Sequence, residues 1–245
     1  MLNWSSPCII LNSRLYGEVD GIVSVLSLEY GFYKGIVKAV VSRKQSPIWQ
    51  VGNFVDVQWS ARTPEQLGYF KGELVRPNFA LISSKPFEFI VLSSACSIIF
   101  YCCFEHQPVI NITKHLFRLI TLLSLNESLP IAKVITEYVR WEMVLLSELG
   151  YGLDLSACMA FKEKKTYWVS PKTGKAVTEE TAGIWKPRLF KMPTFCIDPE
   201  INSDVDDWTD GLNLTGYFLE KHVFNSANKT LPQARTLLIE KLKRE

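Results

Sequence analysis

A basic segment near the amino terminus carries the residues best suited to binding phosphate. Residues 31–45 contain no acidic side chain and four cations: Lys34, Lys38, Arg43 and Lys44. Clustered cations neutralise a phosphate backbone and release its counterions. The first half of the segment alternates as a β-strand does, which would place Lys34 and Lys38 on one face, and its basic end reads as a turn. The segment indicates a nucleic-acid contact, although lysines also protect exposed strand edges from aggregation.

Aromatic side chains accompany these cations, as a surface that stacks on unpaired bases requires. Four are candidates for stacking: Tyr30, Phe32, Tyr33 and Trp49. The whole chain has a formal net charge of only +2, so its overall charge does not indicate a nucleic-acid partner and the signal is local. Hydrophobic residues make up 47% of the 245 residues, which is typical of a globular protein with a substantial core.

No set of residues with the spacing of a catalytic site occurs elsewhere. His106, His115 and His222 lie in or beside predicted helices without a carboxylate or cysteine at metal-ligand spacing. The chain has neither a phosphate-binding glycine-rich loop nor a nucleophile elbow. The acidic cluster of Asp204, Asp206 and Asp207 leaves open a metal-dependent nuclease as a minor alternative, but acids at a helix start also favour the helix dipole.

The six cysteines show no metal-binding or disulfide pattern: Cys8, Cys96, Cys102, Cys103, Cys158 and Cys196. The start of the chain lacks the features of a secretory signal peptide, so we expect a cytoplasmic protein with reduced, mostly buried thiols. Residues 89–104 carry no charge, but this stretch is too short to span a bilayer and predicts a buried core helix.

The chain changes from strand-like to helical spacing near residue 80. Five short alternating runs come first and predict a small closed or partly closed barrel: residues 7–14, 21–28, 32–41, 53–60 and 67–75. Helical spacing follows at residues 87–105, 108–125, 130–149, 212–224 and 231–243. We therefore predict an α+β protein with domains at residues 1–80 and 81–245. An irregular insert occupies residues 154–200, with a hairpin at residues 167–177. Glu142 interrupts an apolar helix face, either at its edge or as the partner of an arginine.

Five motifs in order along the chain resemble the RecO family of bacterial recombination-repair mediators. Residues 9–18 resemble the family's first strand and Gly-Glu turn, and residues 29–44 its basic stretch. Residues 138–154 match the helix end with the pattern Arg-x-x-Glu-x-x-Leu-Leu-x-x-Leu-Gly-Tyr with small changes, and are the most specific match. Residues 169–177 and 212–224 are similar to the alphaproteobacterial branch.

The resemblance implies an amino-terminal five-stranded OB-fold and a helix-rich carboxy-terminal domain. It implies a non-enzymatic protein that binds single- and double-stranded DNA, anneals strands and helps load recombinase, at the bacterial nucleoid. Its implied partners are RecR and the carboxy-terminal tail of single-strand-binding protein. The predicted DNA-binding residues are Arg14, Lys34, Lys38, Arg43 and Lys44. Arg140 aligns with a family arginine implicated in binding the tail, and Lys133 lies on the same helix face. An ion pair of Arg140 with Glu137 or Glu142 is the alternative, and a protein-binding adaptor is the alternative to the DNA function.

One departure from the family concerns a four-cysteine zinc site that many members carry after this helix. Cys158 matches the first cysteine, but its partner position is Phe161, and no cysteine lies near residues 173–177. Tetrahedral structural zinc needs four such ligands. We therefore expect no zinc and no other cofactor, with the turn at Lys172, Thr173 and Gly174 held by packing.

Overall fold

The computed structural model describes residues 2–63, 65–125, 127, 129–160, 166–198 and 203–242. They divide into two compact units, Met1–Ser128 and Leu129–Glu245. The first unit contains a β-barrel and three helices, and the second contains helices and a small three-stranded sheet. The α+β fold class predicted from the sequence is confirmed.

The first unit is built on five strands that pair in a closed ring, in the order β1-β2-β3-β5-β4. The strands are β1 (Leu2–Tyr16), β2 (Asp20–Ser27), β3 (Gly31–Val37), β4 (Phe54–Ala61) and β5 (Tyr69–Arg76). Their inward side chains alternate with outward ones and fill the interior, with Val23, Val37 and Phe70 among the buried residues. Five strands in this barrel have the arrangement of an OB-fold.

Strand β1 closes the barrel because it pairs on both sides. Its first half runs antiparallel to β4, from Leu2 opposite Ala61 to Ile9 opposite Phe54. From Cys8 to Tyr16 it pairs with β2, with a register shift between Ile10 and Asn12. Bulges of this kind bend a strand and increase its twist, which a small barrel requires.

Three helices complete the first unit: α1 (Asn78–Ile82), α2 (Pro86–Cys102) and α3 (Ile110–Leu123). Helix α2 packs against β1, and it is the buried core helix that the uncharged run predicts. The compact unit therefore extends to Ser128, whereas the sequence placed the domain boundary at residue 80. The change from strands to helices near residue 80 is a change of secondary structure and not the boundary between the two units. Helices α1 to α3 bury their apolar residues within the first unit.

The second unit contains helices α4 (Ile131–Glu148), α5 (Ser156–Ala160), α6 (Glu179–Ala182), α7 (Val205–Leu219) and α8 (Gln233–Leu242). A small antiparallel sheet orders its strands β7 (Ala176–Thr178), β6 (Tyr167–Val169) and β8 (Phe190–Lys191). Strands β6 and β7 form the predicted hairpin. No helix in the part of the chain that the structure describes is long and apolar enough to cross a membrane.

Two of the differences from the predicted boundaries have a clear structural cause. Strand β3 ends at Val37 rather than at residue 41, because Ala39 adopts a left-handed conformation with φ of 51° and the chain turns there. Helix α7 begins at Val205 rather than at residue 212, because the carboxylate of Asp204 accepts the backbone N–H of Asp207 at 2.9 Å and caps the helix.

Candidate nucleic-acid interface

Four outward-facing residues lie side by side across four strands of the barrel. Arg14 is opposite Ile22, Ile22 is opposite Ile36, and Ile36 is paired with Tyr69. Residues paired in this way project from the same face of a sheet. Arg14 and Tyr69 are exposed, and the two isoleucines between them are half-buried. The row has a cation at one end and an aromatic ring at the other.

The β4–β5 loop (residues 62–68) sets the position of Tyr69. The indole N–H of Trp59 donates to the carbonyl of Leu67 at 3.1 Å, and Ile36 N–H donates to the carbonyl of Gly68 at 2.9 Å. Gly68 has a φ of +69°, and a Cβ there would lie 2.4 Å from Trp59 Nε1. Only glycine allows this approach. The loop is thereby pinned between the barrel interior and β3, and Tyr69 starts β5 with 49% of its surface exposed.

Lys38 contacts the first residue of β2 and the first residue of β5. Its Nζ is 2.7 Å from Asp20 Oδ2 and 5.6 Å from the centre of the Tyr69 ring. The hydrogen bond from Lys38 holds the pKa of Asp20 below its ordinary value, with a further contribution from the N–H of Ala39. The same bond raises the pKa of Lys38. Both groups are therefore charged at neutral pH.

A shallow pocket of about 460 Å³ lies at the junction of β3 and β5. These two strands share a single pair, Ile36 with Tyr69, so the barrel is least tightly closed here. Arg62 lines the pocket together with Ile36, Gly68 and Tyr69. The junction thus offers a cation and an exposed ring beside a concave surface.

Arg43 and Lys44 lie on a turn in the connection between β3 and β4, and both are exposed. The turn is anchored from below: Trp49 is buried, and its indole N–H donates to Gln45 Oε1 at 2.8 Å. Neither cation forms an ion pair with a described residue. A rigid turn with two unpaired cations can bind phosphate.

Lys34 is placed differently from the other predicted DNA-binding residues. Its Nζ is 2.5 Å from Glu105 Oε1, and only about a third of its side chain is exposed. Because β3 ends at Val37, the strand alternation that would have grouped Lys34 with Lys38 does not extend to Lys38. The sequence prediction therefore combined two lysines that have separate acidic partners.

Two of the four predicted stacking residues are wrong, because Phe32 and Trp49 are almost fully buried, at 2% and 1% exposure. Tyr30 stacks on Trp4 with ring centres 4.8 Å apart, and Tyr33 lies 4.2 Å from the His106 ring. Both tyrosines therefore pack against other aromatic rings, and they are half-buried rather than free to stack on a base.

Sequence reasoning missed Tyr16, Arg62 and Tyr69. Tyr16 and Tyr69 are 54% and 49% exposed. The sequence did contain a pattern that indicates them. An aromatic residue at the first or last position of a strand projects into solvent when it alternates in step with the polar residues. This pattern could not be used without the register, which brings Tyr69 next to Ile36 although the two are far apart in sequence.

In the second unit, Arg140 and Lys133 share one carboxylate. Arg140 Nη1 is 2.8 Å from Glu137 Oε1, and Lys133 Nζ is 3.3 Å from the same oxygen. Arg140 Nη2 also donates to the carbonyl of Phe195 at 2.7 Å. Of the two ion pairs that the sequence left open, the structure has the one with Glu137. The role of Arg140 and Lys133 in binding a partner stays a prediction.

The acidic cluster contributes to the structure of α7. Asp204 caps the helix, and Asp207 accepts hydrogen bonds from the backbone and hydroxyl of Thr194. Within the described residues, no three metal-ligating side chains come together. His115 Nδ1 lies 2.8 Å from the carbonyl of Asn111, and His222 stacks on Tyr151.

Of the four cysteine positions of the family's zinc site, this chain keeps only Cys158, and the absence of zinc stays a prediction. Cys158 is buried, and burial raises the pKa of its thiol, which opposes the thiolate that zinc requires. Phe161, at the partner position, lies outside the described residues. The hairpin turn has other support: Lys221 Nζ donates to the carbonyl of Pro171 at 2.7 Å. The backbone of Asp154 also bonds to Gly174 and Ala176.

Comparison with known proteins gives consistent matches along the chain. Family models described as "Recombination protein O N terminal" and "Recombination protein O C terminal" match residues 1–78 and 86–232. A protein named DNA repair protein RecO from Gluconacetobacter diazotrophicus is 37% identical over 240 residues, covering 98% of this chain and 94% of that protein. Proteins of the same name from Granulibacter bethesdensis and Acidiphilium cryptum are each 38% identical, over 98% and 99% of this chain and 96% of each relative.

Proposed function

Because this chain belongs to the RecO family of DNA repair proteins, we propose that it is a non-enzymatic mediator that binds single- and double-stranded DNA. In this proposal it promotes the annealing of complementary strands. It also helps RecR to load recombinase onto single strands that are coated by single-strand-binding protein. The proposal concerns binding and exchange of partners, with no bond made or broken in DNA.

The observation that carries the proposal is the row from Arg14 to Tyr69 on the open face of the barrel. OB-folds bind oligonucleotides on the face of β2 and β3, between the β1–β2 and β4–β5 loops. The β4–β5 loop reaches this row through Gly68, and Asp20, which follows the β1–β2 loop as the first residue of β2, bonds to Lys38 beside the row. A base stacked on Tyr69 would bring its phosphates close to Lys38 and Arg62.

Annealing follows from the same charges. Two strands repel each other through their phosphates, and cations that neutralise part of this charge lower the repulsion. The exposed Arg14 and the unpaired turn of Arg43 and Lys44 provide such cations on the first unit. With roughly four to six phosphate contacts, the logarithm of affinity should fall with the logarithm of salt concentration at a slope of about −3 to −5.

Partner binding belongs to the second unit in this proposal. The tail of single-strand-binding protein is acidic and apolar, and such a segment needs a cation beside an apolar surface. Arg140 supplies the cation; the ring of Phe195, whose centre lies 6.0 Å from the guanidinium, is itself buried. Binding of the tail would require Arg140 to exchange Glu137 for the peptide carboxylate.

The test measures binding of a fluorescein-labelled single strand by anisotropy, and annealing of two strands coated by the cognate single-strand-binding protein. Tyr69→Ala should weaken binding by about 1–3 kcal/mol, the usual contribution of one stacked base. Tyr151→Ala is the matched control, since Tyr151 is exposed to a similar extent in the second unit. Unchanged binding by Tyr69→Ala, with an unchanged salt slope for Arg14→Ala, would move the site elsewhere.

The same labelled DNA also tests the two alternative functions, a nuclease and a protein-binding adaptor. Magnesium-dependent cleavage of the labelled strand would show that the protein is a nuclease rather than a mediator. A folded protein that binds neither single nor double strands at low salt would leave the barrel as a protein-binding adaptor.

A further inference from the structure

The barrel face contains a small anion site that the protein fills with its own carboxylate. Asp20 Oδ2 accepts a hydrogen bond from Lys38 Nζ at 2.7 Å, and Asp20 Oδ1 accepts one from the backbone N–H of Ala39 at 2.9 Å. An ammonium and a backbone N–H that converge on two oxygens of one anion are the donors that also bind phosphate. We propose that Lys38 and the N–H of Ala39 form a backbone-phosphate subsite, and that Asp20 occupies it as an internal competitor.

The backbone at Ala39 is shaped for this contact. Ala39 has a φ of 51°, in a region that residues with a side chain seldom adopt. The turn aims its N–H at Asp20 beside the Lys38 ammonium. Such a conformation persists only where the surroundings hold it. Here Val40 supplies part of the hold, since it is buried in the barrel core directly after the turn.

The competitor can be displaced because the ion pair lies at the surface. The Lys38 side chain is 67% exposed and that of Asp20 is 19% exposed, so a phosphate can reach the ammonium from solvent and replace the Asp20 carboxylate. Ion pairs of this exposure contribute little to stability. A phosphate that approaches Tyr69 meets Lys38 over the face of the ring, 5.6 Å from its centre. Exchange of one anion for another at Lys38 therefore requires no change of fold.

The internal carboxylate has a consequence for how tightly the face binds. While Asp20 holds Lys38, one cation of the face is neutralised, and the strand gains less from contact with it. Weak and reversible contacts suit a protein that must release both strands after they pair. This inference rests on the proposed DNA function, and it assigns Asp20 the role of lowering affinity rather than of supporting it.

The test is a double-mutant cycle on binding of a labelled single strand. Asp20→Asn keeps the size of the side chain and removes the negative charge that competes with phosphate for Lys38 and the Ala39 N–H. It should tighten binding about two- to five-fold, as release of a surface ion pair predicts. Its salt slope should also steepen by about 0.7, the value for one additional phosphate contact on a single strand. Both gains should disappear in Asp20→Asn with Lys38→Met.

Glu18→Gln is the matched control, because Glu18 is exposed in the adjacent loop and its loss changes the net charge equally. A gain of the same size in Glu18→Gln, or a gain that persists with Lys38→Met, would reduce the effect to overall charge and overturn the subsite. Weaker binding by Asp20→Asn would mean that Asp20 positions Lys38 instead. Each of these results still requires DNA binding by the unaltered protein, whereas loss of the proposed function would abolish binding in every variant.

Discussion

Arg235 and Glu142 form an ion pair in which neither side chain is exposed to solvent. Arg235 Nε lies 2.6 Å from Glu142 Oε1, and Arg235 Nη2 lies 2.9 Å from Oε2. Thr215 donates its hydroxyl to the same carboxylate, and the Leu212 carbonyl accepts from Arg235. The pair links α8 to α4 and α7 through charge-assisted bonds. The acidic residue that interrupts the apolar face of α4 is therefore part of the core.

Loss of one member of this pair should destabilise the protein strongly. Glu142→Gln or Arg235→Met would leave the other charge buried without its partner, which costs about 3–5 kcal/mol. Urea denaturation, followed by circular dichroism, measures the change in the free energy of unfolding. Glu142→Leu combined with Arg235→Met should recover part of the loss. The half-exposed Arg140→Gln should cost under about 1 kcal/mol and serves as the control; equal losses at Arg140 and Arg235 would contradict the assignment.

Removal of the two cations on the turn should lower DNA affinity and make it less sensitive to salt. Arg43→Ala with Lys44→Ala removes two unpaired charges, so the log–log salt slope should become shallower by about 1.4 for a single strand. Anisotropy titrations between low and physiological salt measure it. The control with the same charge change is Lys114→Ala with Arg118→Ala on α3, where both residues are exposed. If the control lowers the slope as much, the turn has no special role.

Substitution of Arg140 should weaken binding of the tail peptide. Calorimetric titration with a synthetic acidic, apolar tail peptide should lose its signal in Arg140→Ala. Glu137→Gln should tighten peptide binding, because it removes the carboxylate that now engages both Arg140 and Lys133. Peptide affinity that is the same in all three proteins would leave Arg140 with a structural role only.

The carboxyl of Asp210 should lower stability as the pH rises. Burial raises its pKa above its ordinary value, although Lys191, 3.7 Å away, opposes the shift. The folded protein therefore holds the proton more tightly than the unfolded chain, and stability falls as pH rises from about 3.8 through the folded pKa. Asp210→Asn should remove this loss and raise the free energy of unfolding at pH 7 by under about 1 kcal/mol. The exposed Asp206→Asn, which removes a charge favourable to the helix start, should not.

Zinc should be absent from the purified protein. Only Cys158 remains of the four family ligands, and a single thiolate cannot form a tetrahedral structural zinc site. Elemental analysis after purification without chelators should give far less than one zinc per chain. Exposure to a strong chelator should leave the thermal midpoint unchanged, whereas Lys221→Met should lower it, because the hairpin turn would lose its bond to Pro171. One tightly held zinc per chain would refute the prediction.

The strands, the main helices and the family could be predicted from the sequence because each depends on local spacing or ordered motifs. The period-two runs identified all five barrel strands, and the motif at residues 138–154 lies at the end of α4 where the family pattern places it. The end of β3 could not be predicted, because residues 38–41 continue the apolar spacing while Ala39 turns the backbone. Local propensity carries no information about such a turn when tertiary contacts impose it.

The interface could be predicted only in part, because pairing between distant residues decides it. The family resemblance pointed to Arg14 and the charge pattern to Lys38; Arg14 belongs to the exposed row, and Lys38 lies next to its Tyr69. The sequence could not identify Glu105 as the partner of Lys34, since 71 positions separate them. Nor could it distinguish Trp49, which is buried in the barrel core, from an exposed ring such as that of Tyr69.

The contact at Gly31 determines how the molecule can be divided into fragments. Gly31 has a φ of +75°, and a Cβ there would lie 1.9 Å from the carbonyl oxygen of Gln107. The adjacent Phe32 bridges to Glu105 and accepts the N–H of His106 at 2.9 Å. A recombinant fragment cut after β5 would lose this support, expose the face of β1 that α2 covers and leave backbone groups of β3 without partners. For domain dissection by expression or limited proteolysis, the smallest soluble piece should therefore extend through α3.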